Sequence, residues 1–327
     1  MGVKFGGVYQ AELIGPDGKV KQAAEMRNVI TDAGLNWALT QTYAIAGWTY
    51  SLSAYYGALK YIGVGTGTNT PQTTDTALQS QAARKLYDYT RSTINTPNVS
   101  TPGAPYAYSA TVFGPSEANG NLTEVGMFTE QSGGVMWSRA LFTTPGGSPV
   151  VINKQQGDIL TVRYTLTVSR TSEDPVVQSI TDSRGTTYQV KWILTNNALR
   201  GLLDGERWTS NYCRSYTAGN DNSTDPSATQ TAINGSAVGT FPSTATRTYE
   251  TAHQGPSGGF YRVTTLKLDT TYCNGNVKEL FIYGIDAYKS SIQSGLCVAM
   301  TFNNSGNGLQ KTIDDEITLP IRMVFSR

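Results

Sequence analysis

The sequence predicts a mainly β protein built as two tandem, duplicated β-sandwich-like domains, each carrying one or two short helices. Three observations predict it. Runs of alternating apolar and polar residues recur between turn clusters, the period-two signature of half-buried strands. Glycine supplies 34 of the 327 residues and only 15% are charged, a composition rich in turns and poor in charged helices. The third observation is self-similarity, the mark of a repeated unit. A shift of about 155 residues sets Tyr61 on Tyr216, Pro71 on Pro226, Thr74 on Thr229, Thr76 on Thr231 and Ala77 on Ala232.

The same shift continues downstream, placing Tyr106 on Tyr261 and GNLTE (120–124) on GNVKE (275–279). Toward the ends it drifts by small insertions, so that 152–170 pairs with 309–327, keeping Lys154, Asp158, Thr161 and the closing Ser-Arg. Upstream, VITDAGL (29–35) pairs with ILTNNAL (193–199). The expected organisation is a first β-rich unit over 1–171, a polar joint near TSEDP (171–175), and a degenerate copy over 176–327. Each unit is close to the usual size of a domain.

In chain order, the first unit opens with two alternating runs around GPDG, a strong hairpin signal; VVQSITDSRGTTYQVKWIL repeats it in the second. TDAGLNWALTQTYA reads as a helix with Thr31 or Asp32 as N-cap and Leu35, Ala38, Leu39 and Ala46 on one face. Its counterpart is TNNALRGLLDG, with Leu199, Leu202 and Leu203. YIGVGTGTNTPQTTDTAL (61–78) reads as an edge strand, a long exposed loop and a one- or two-turn helix capped near Thr74. Within it Tyr61, Gly65, Gly67, Pro71 and Thr74, with Tyr216 and Pro226 in the copy, are the candidate assembly-loop residues expected to touch a neighbouring subunit. ATVF, LTEVGMF, GGVMWSRALF and GDILTVRYTLTVS follow as strands. GFYRVTTLKL, VKELFIYGI, GLCVAMTF and DEITLPIRMVF answer them in the copy.

The alternate glycines of YIGVGTGT raise the question of a phosphate cradle. A dinucleotide fingerprint needs glycines at the first, third and sixth places before a helix. From Gly63 the sixth place is Thr68, and from Gly65 it is Thr70. No lysine lies between Lys60 and Lys85, so there is no P-loop. The copy, YTAGNDNSTDPSATQTAI, drops most of the glycines. No nucleotide site is expected.

Other chemistry is equally thin. The chain has one histidine, His253, and no G-x-S-x-G elbow. Cys213, Cys273 and Cys297 show no metal or redox spacing, and are expected as buried thiols, with one bridge as the minor alternative. DNSTD (221–225) lacks the glutamate that closes a calcium loop. No catalytic, cofactor or metal residue is therefore assigned. Glu124 and Glu279 are the carboxylates that the repeat retains, each opening a strand after a Gly-Asn turn. The favoured reading is a structural carboxylate bound to a backbone donor or an arginine, for which Arg139 is the candidate. The rival reading is a pair of acids flanking a sugar. The 19 tyrosines could line a binding face but form no stacked motif. A formal net charge of +1 without a basic stripe argues against nucleic acid. The absence of an apolar segment before Asp17, or of any long apolar run, argues against secretion and membrane insertion.

The series GVYQAELIGPDGKVKQ, NVITDAGLNWAL, YIGVGTGTNTPQTTDTALQS, TEVGMF, GVMWSRALF and KQQGDILTVRYTLTVS resembles a group of tailed-bacteriophage virion proteins of the neck, collar and tail-fibre region. The resemblance covers most of the first unit and, through the repeat, the second in degenerate form. It implies a non-enzymatic structural protein without cofactors, assembled in the host cytoplasm into the virion. Its partners would be further copies of itself, as a symmetric homo-oligomer, and other virion proteins such as neck, portal-adaptor, tail or fibre proteins. Capsid decoration and carbohydrate or receptor binding by a tail module are the alternatives.

Overall fold

The structure is a computed structural model. It describes residues 2–40, 59–91, 93–95, 106–172, 174–182, 184–196, 199, 203, 216–227, 229–230, 232–240, 247–249, 259–268, 274–282, 298–305, 307–314 and 317–327. The protein is mainly β, with strands gathered in several sheets.

The opening hairpin joins Gly2–Ile14 to Val20–Arg27. Its turn closes through the Gly18 amide on the Gly15 carbonyl, with Gly18 at φ 77°, a left-handed conformation that glycine adopts without a Cβ penalty. Alternation sends Tyr9, Ala11 and Leu13 of the first strand, and Ala24 and Met26 of the second, into the core. Along its whole length Gly2–Ile14 pairs antiparallel with Ile159–Arg170, which pairs in turn with Tyr106–Phe113 and that with Thr93–Asn95.

A second sheet runs in the order Val29–Ile30, Met136–Leu141, Glu124–Phe128, Tyr61–Gly65, Gln81–Leu86. Tyr61–Gly65 is thus an interior strand and not the edge that its polar sequel suggested. Its four residues after Tyr61 are all buried, and the edge position belongs to Gln81–Leu86. The two sheets close on one core. Trp137 meets Phe5 edge to face, the Tyr9 hydroxyl bonds Ser138, and the indole of Trp137 donates to the Tyr164 hydroxyl. Each such aromatic contributes roughly 1.5–3 kcal/mol through burial, and the buried hydroxyls and indole are all partnered.

The helix Asp32–Thr40 follows the cap expected for it. The Thr31 hydroxyl accepts the Gly34 amide at 2.9 Å, and Leu35, Ala38 and Leu39 are buried. Nine residues do not sustain a helix in water; here the apolar face packs on Met136–Leu141 and on strands of the second half. In the second half Asn196, Leu199 and Leu203 are helical, with both leucines buried. Ala46 and Leu202 lie outside the described residues.

The second half repeats the first half's pairings. Thr187–Leu194, Val298–Asn303, Glu279–Ile282, Tyr216–Gly219 and Ala237–Thr240 follow one another in one sheet, flanked by Val176–Thr181. Arg247–Tyr249, Phe260–Leu268 and Ile317–Ser326 line up in another. Gly275–Val277 pairs with Leu309–Lys311 as Gly120–Leu122 does with Ile152–Lys154. The register agrees as well: Tyr106 stands opposite Thr167, and Tyr261 opposite Val324.

One pairing differs. Val176–Thr181 holds the place in the chain order that Gly2–Ile14 holds in the first half, yet among the described residues it pairs only with Thr187–Leu194. Beside Ile317–Ser326 runs instead the start of the chain, with Gly2, Val3 and Lys4 parallel to Val324, Phe325 and Ser326. Strands of both halves therefore form one eight-stranded sheet. Phe5 packs on Phe325 as well as on Trp137, and Arg327 reaches Asp32 at the helix N-terminus at 2.6 Å.

Candidate functional site

Glu124 stands directly opposite Gly65 in the ladder. Two of the alternate glycines, Gly65 and Gly67, make room for this neighbour. A Cβ on Gly65 would lie 2.6 Å from Glu124 Oε1, one on Gly67 would lie 2.5 Å from the same oxygen, and one on Gly63 would lie 2.9 Å from the Phe128 ring. All three replace a side chain with room for another group. No phosphate is needed to explain them.

The carboxylate is fully buried and its partners are the loop that follows the strand. Glu124 Oε1 accepts the amides of Gly67 (3.0 Å) and Ser80 (2.8 Å), and Oε2 accepts the amide of Gln79 (3.1 Å) and Arg139 Nε (2.8 Å). Arg139 then spreads its fork over the same loop, with Nη1 on Asp75 at 2.8 Å and Nη2 on the Asn69 carbonyl at 3.1 Å. The Gln79 side chain accepts the Thr68 and Asn69 amides, Thr123 Oγ1 donates to the Gly67 carbonyl, and the Asp32 amide donates to the Thr73 carbonyl. Residues 66–80 are a loop by backbone path and a fixed body by hydrogen bonding.

Thr74 does not cap a helix. Asp75 receives the Gln72 amide and returns its own to the Gln72 carbonyl, closing a single turn. The chain leaves this turn without a further helical bond among those shown, and Asp75 is drawn to Arg139 instead. Of the candidate loop residues, Gly65 and Gly67 are buried, Tyr61 and Pro71 half-buried and Thr74 exposed. Thr68, Asn69, Thr70, Gln72 and Thr76 share the exposed surface with it.

The second half carries the same device in reduced form. Glu279, 1% exposed and opposite Gly219, accepts the amides of Asn234 (2.7 Å) and Gly235 (2.6 Å). These are the positions that the 155-residue shift assigns to Gln79 and Ser80. The arginine is gone. Leu141 pairs with Glu124 and Thr301 with Glu279, so the place of Arg139 falls to Ala299. Pro226 is buried beside this loop's path, and Tyr216 opens the interior strand equivalent to Tyr61–Gly65.

Each half also buries a lysine, opposite the glycine of the Gly-Asn turn. Lys154 Nζ donates to the Gly114 carbonyl and to Asn119 Oδ1, both at 2.9 Å, and Lys311 Nζ donates to Asn274 Oδ1 at 2.8 Å. The following glycines, Gly120 and Gly275, have φ of 134° and 137°. Burial lowers the Lys154 ammonium pKa, opposed by the nearby charges of Asp158 and Glu117. The asparagines lie in an NGN stretch that recurs in both halves, whereas Asp75 and Gln79 meet Gln230 and Asn234 at the positions 155 residues on and so gave no such signal.

These carboxylates are not placed for acid–base chemistry on a sugar. Each is enclosed, and its oxygens are occupied by amides of its own chain. The DNSTD stretch holds no cation site: Asp221 accepts the Ser223 amide, which holds its carboxyl below the usual range, and Asp225 pairs with Lys191 at 2.6 Å. Among the described residues no three His, Cys, Asp or Glu side chains gather as metal ligands. His253 and the three cysteines lie outside the described residues. A groove of about 510 Å³ borders the edge strand Gln81–Leu86, lined by Tyr61, Arg84, Lys85, Phe113 and Glu117 among others. Its polar groups already have partners, Lys85 with Glu117 as an ion pair and Arg84 hydrogen-bonded to Gln81 and the carbonyls of Glu130 and Gly133. No helix among the described residues is long and apolar enough to cross a membrane.

No known family model, curated protein or solved structure matches this chain.

Proposed function

We propose that the chain is a non-enzymatic structural protein of a tailed-phage virion, assembling as a symmetric oligomer at the neck, collar or tail and contacting other virion proteins through its loops. The setting comes from the sequence resemblance. The observation that carries the assembly role is the locked loop 66–80, an exposed polar surface held by a buried Glu124–Arg139–Asp75 chain. Loops that present contacts from a rigid scaffold lose little conformational freedom when a partner covers them. Burying an ion pair is of little net use to stability alone, so its use here is to define a shape.

Light scattering on the purified chain tests this reading. The expected result is a discrete mass that is a multiple of the chain mass, lost or shifted when Thr70 and Gln72 at the loop surface are replaced by Glu. A monomer at every accessible concentration would overturn the self-assembly, and an oligomer indifferent to these substitutions would overturn the role of the loop.

A further inference from the structure

We infer that Val176–Thr181 of one copy adds as an antiparallel strand to the edge of Ile317–Met323 in a second copy. The inference rests on the reading of the chain as self-assembling and names the contact that assembles it.

The first half supplies the template. There, Ile159–Arg170 has a strand on both sides, Tyr106–Phe113 on one and Gly2–Ile14 on the other. The matching strand Ile317–Ser326 has Phe260–Leu268 on one side over its length, but on the other only Gly2–Lys4, opposite Val324–Ser326. Among the described residues no strand pairs with the second side of Ile317–Ile321. Pro320 within it agrees with an edge, since proline in a sheet is confined to edges and bulges.

The strand missing from that edge is present elsewhere in the chain. Among the described residues Val176–Thr181 pairs on one side only, its first four residues are exposed, and Val176 and Val177 are 36% and 58% exposed. A donor strand with one open side and exposed valines, and an acceptor edge with no described neighbour, are the two halves of β-strand addition. In the first half their counterparts are joined.

The register follows without adjustment. The turn glycines Gly18 and Gly185, at φ 77° and 82°, align Ile14 with Thr181. The buried lysines Lys154 and Lys311 align Leu160 with Ile317. Leu13 pairs with Leu160, so Ile180 falls opposite Ile317, Ser179 opposite Thr318, Gln178 opposite Leu319, Val177 opposite Pro320 and Val176 opposite Ile321. Only Arg322 and Met323 then separate the incoming strand from the stretch that Gly2–Lys4 already occupies, so the two do not compete. Pro320 brings no amide hydrogen, so it can only accept in the ladder, which weakens the added contact relative to that of the first half.

Mixing two single variants of the full chain tests the contact between copies. Ser179→Cys is mixed with Thr318→Cys, and Gln178→Cys with Leu319→Cys, under mild oxidation; Ser179→Cys with Asp314→Cys is the off-register control. One of two adjacent antiparallel pairs is the closer, non-hydrogen-bonded kind, within disulfide reach. The expected result is a disulfide-linked dimer on a non-reducing gel from at least one matched mixture, above the control and above wild type with its own cysteines. Oligomers by light scattering with no matched cross-link above control would overturn this contact and leave the assembly reading standing. Monomers throughout would overturn both.

Discussion

Replacing Arg139 by Ala removes the cation that, among the described residues, pairs with Glu124, and the structure sets the size of the effect. The two side chains are 3% and 0% exposed, and the guanidinium also holds Asp75 and the Asn69 carbonyl. Stripping one partner from a buried pair costs about 3–5 kcal/mol because the remaining charge has no solvent. Glu124 keeps its three backbone amides, which places the expected value near the lower end, about 3 kcal/mol. That corresponds to roughly a hundredfold rise in local opening, at about 1.4 kcal/mol per decade. Hydrogen exchange at the amides of Gly67, Gln79 and Ser80 reads it directly, since these are the donors to Glu124.

Two controls are built into the chain. Glu279 has Ala299 at the arginine's place, so exchange at Asn234 and Gly235 should be unmoved by Arg139→Ala and raised by Glu279→Gln. In the cycle of Arg139→Ala with Glu124→Gln, the double variant should lose about 1.5–3 kcal/mol less than the sum of the single ones. A loss below about 1 kcal/mol for Arg139→Ala would put this pair with exposed surface pairs and refute the reasoning. Parallel loss of protection in both halves would refute it too, by showing global unfolding in place of a released loop.

Gly67→Ala should destabilise by about 1–3 kcal/mol, the usual overpacking range, because its Cβ would meet the Gln79 side chain and Glu124 Oε1; denaturant unfolding indistinguishable from wild type would contradict the explanation of the alternate glycines. Asp158 is held below the ordinary carboxylate range, first by the Lys21 hydrogen bond and then by the Gln155 amide. Its folded pKa lies under the unfolded value of about 3.9, so its stabilisation is complete above that value and disappears as pH falls through the folded pKa. Asp158→Asn should lower stability at neutral pH and flatten the acid limb of a stability–pH curve, and an unchanged acid limb would remove Asp158 from the account.

Local chemistry was legible where a short stretch determines its own conformation. GPDG closes a hairpin because Gly18 takes a positive φ, Thr31 caps a helix because its hydroxyl reaches the Gly34 amide, and Glu124 finds Arg139 because both open onto one sheet face. What failed were statements about neighbours across the fold. Tyr61–Gly65 looked like an edge because a polar loop follows it, but edge or interior is decided by which distant strands pair, and period-two alternation is silent on that. The turn at Thr74 looked like a helix start because Asp75's ties to Arg139 and Gln72 are invisible in the local string. The glycines of YIGVGTG were the opposite case: their spacing was plain, and their cause, a glutamate far along the chain, was not.

The asymmetry between the halves has a physical consequence. A buried carboxylate needs donors, and in the first half it has three amides and a guanidinium, whereas in the second it has two amides. Among the described residues the second carboxylate is therefore held by fewer bonds and by no countercharge. The same half gives up its own hairpin strand from the sheet and takes Gly2–Lys4 in its place. The chain's first residues thus stabilise its last strand, and removing Gly2–Lys4 exposes the whole second edge of Ile317–Ser326. If the two halves had been closed sandwiches, neither would need the other. As arranged, among the described residues, the first strand of the first half lies beside its last, and in the second half Gly2–Lys4 stands in that place.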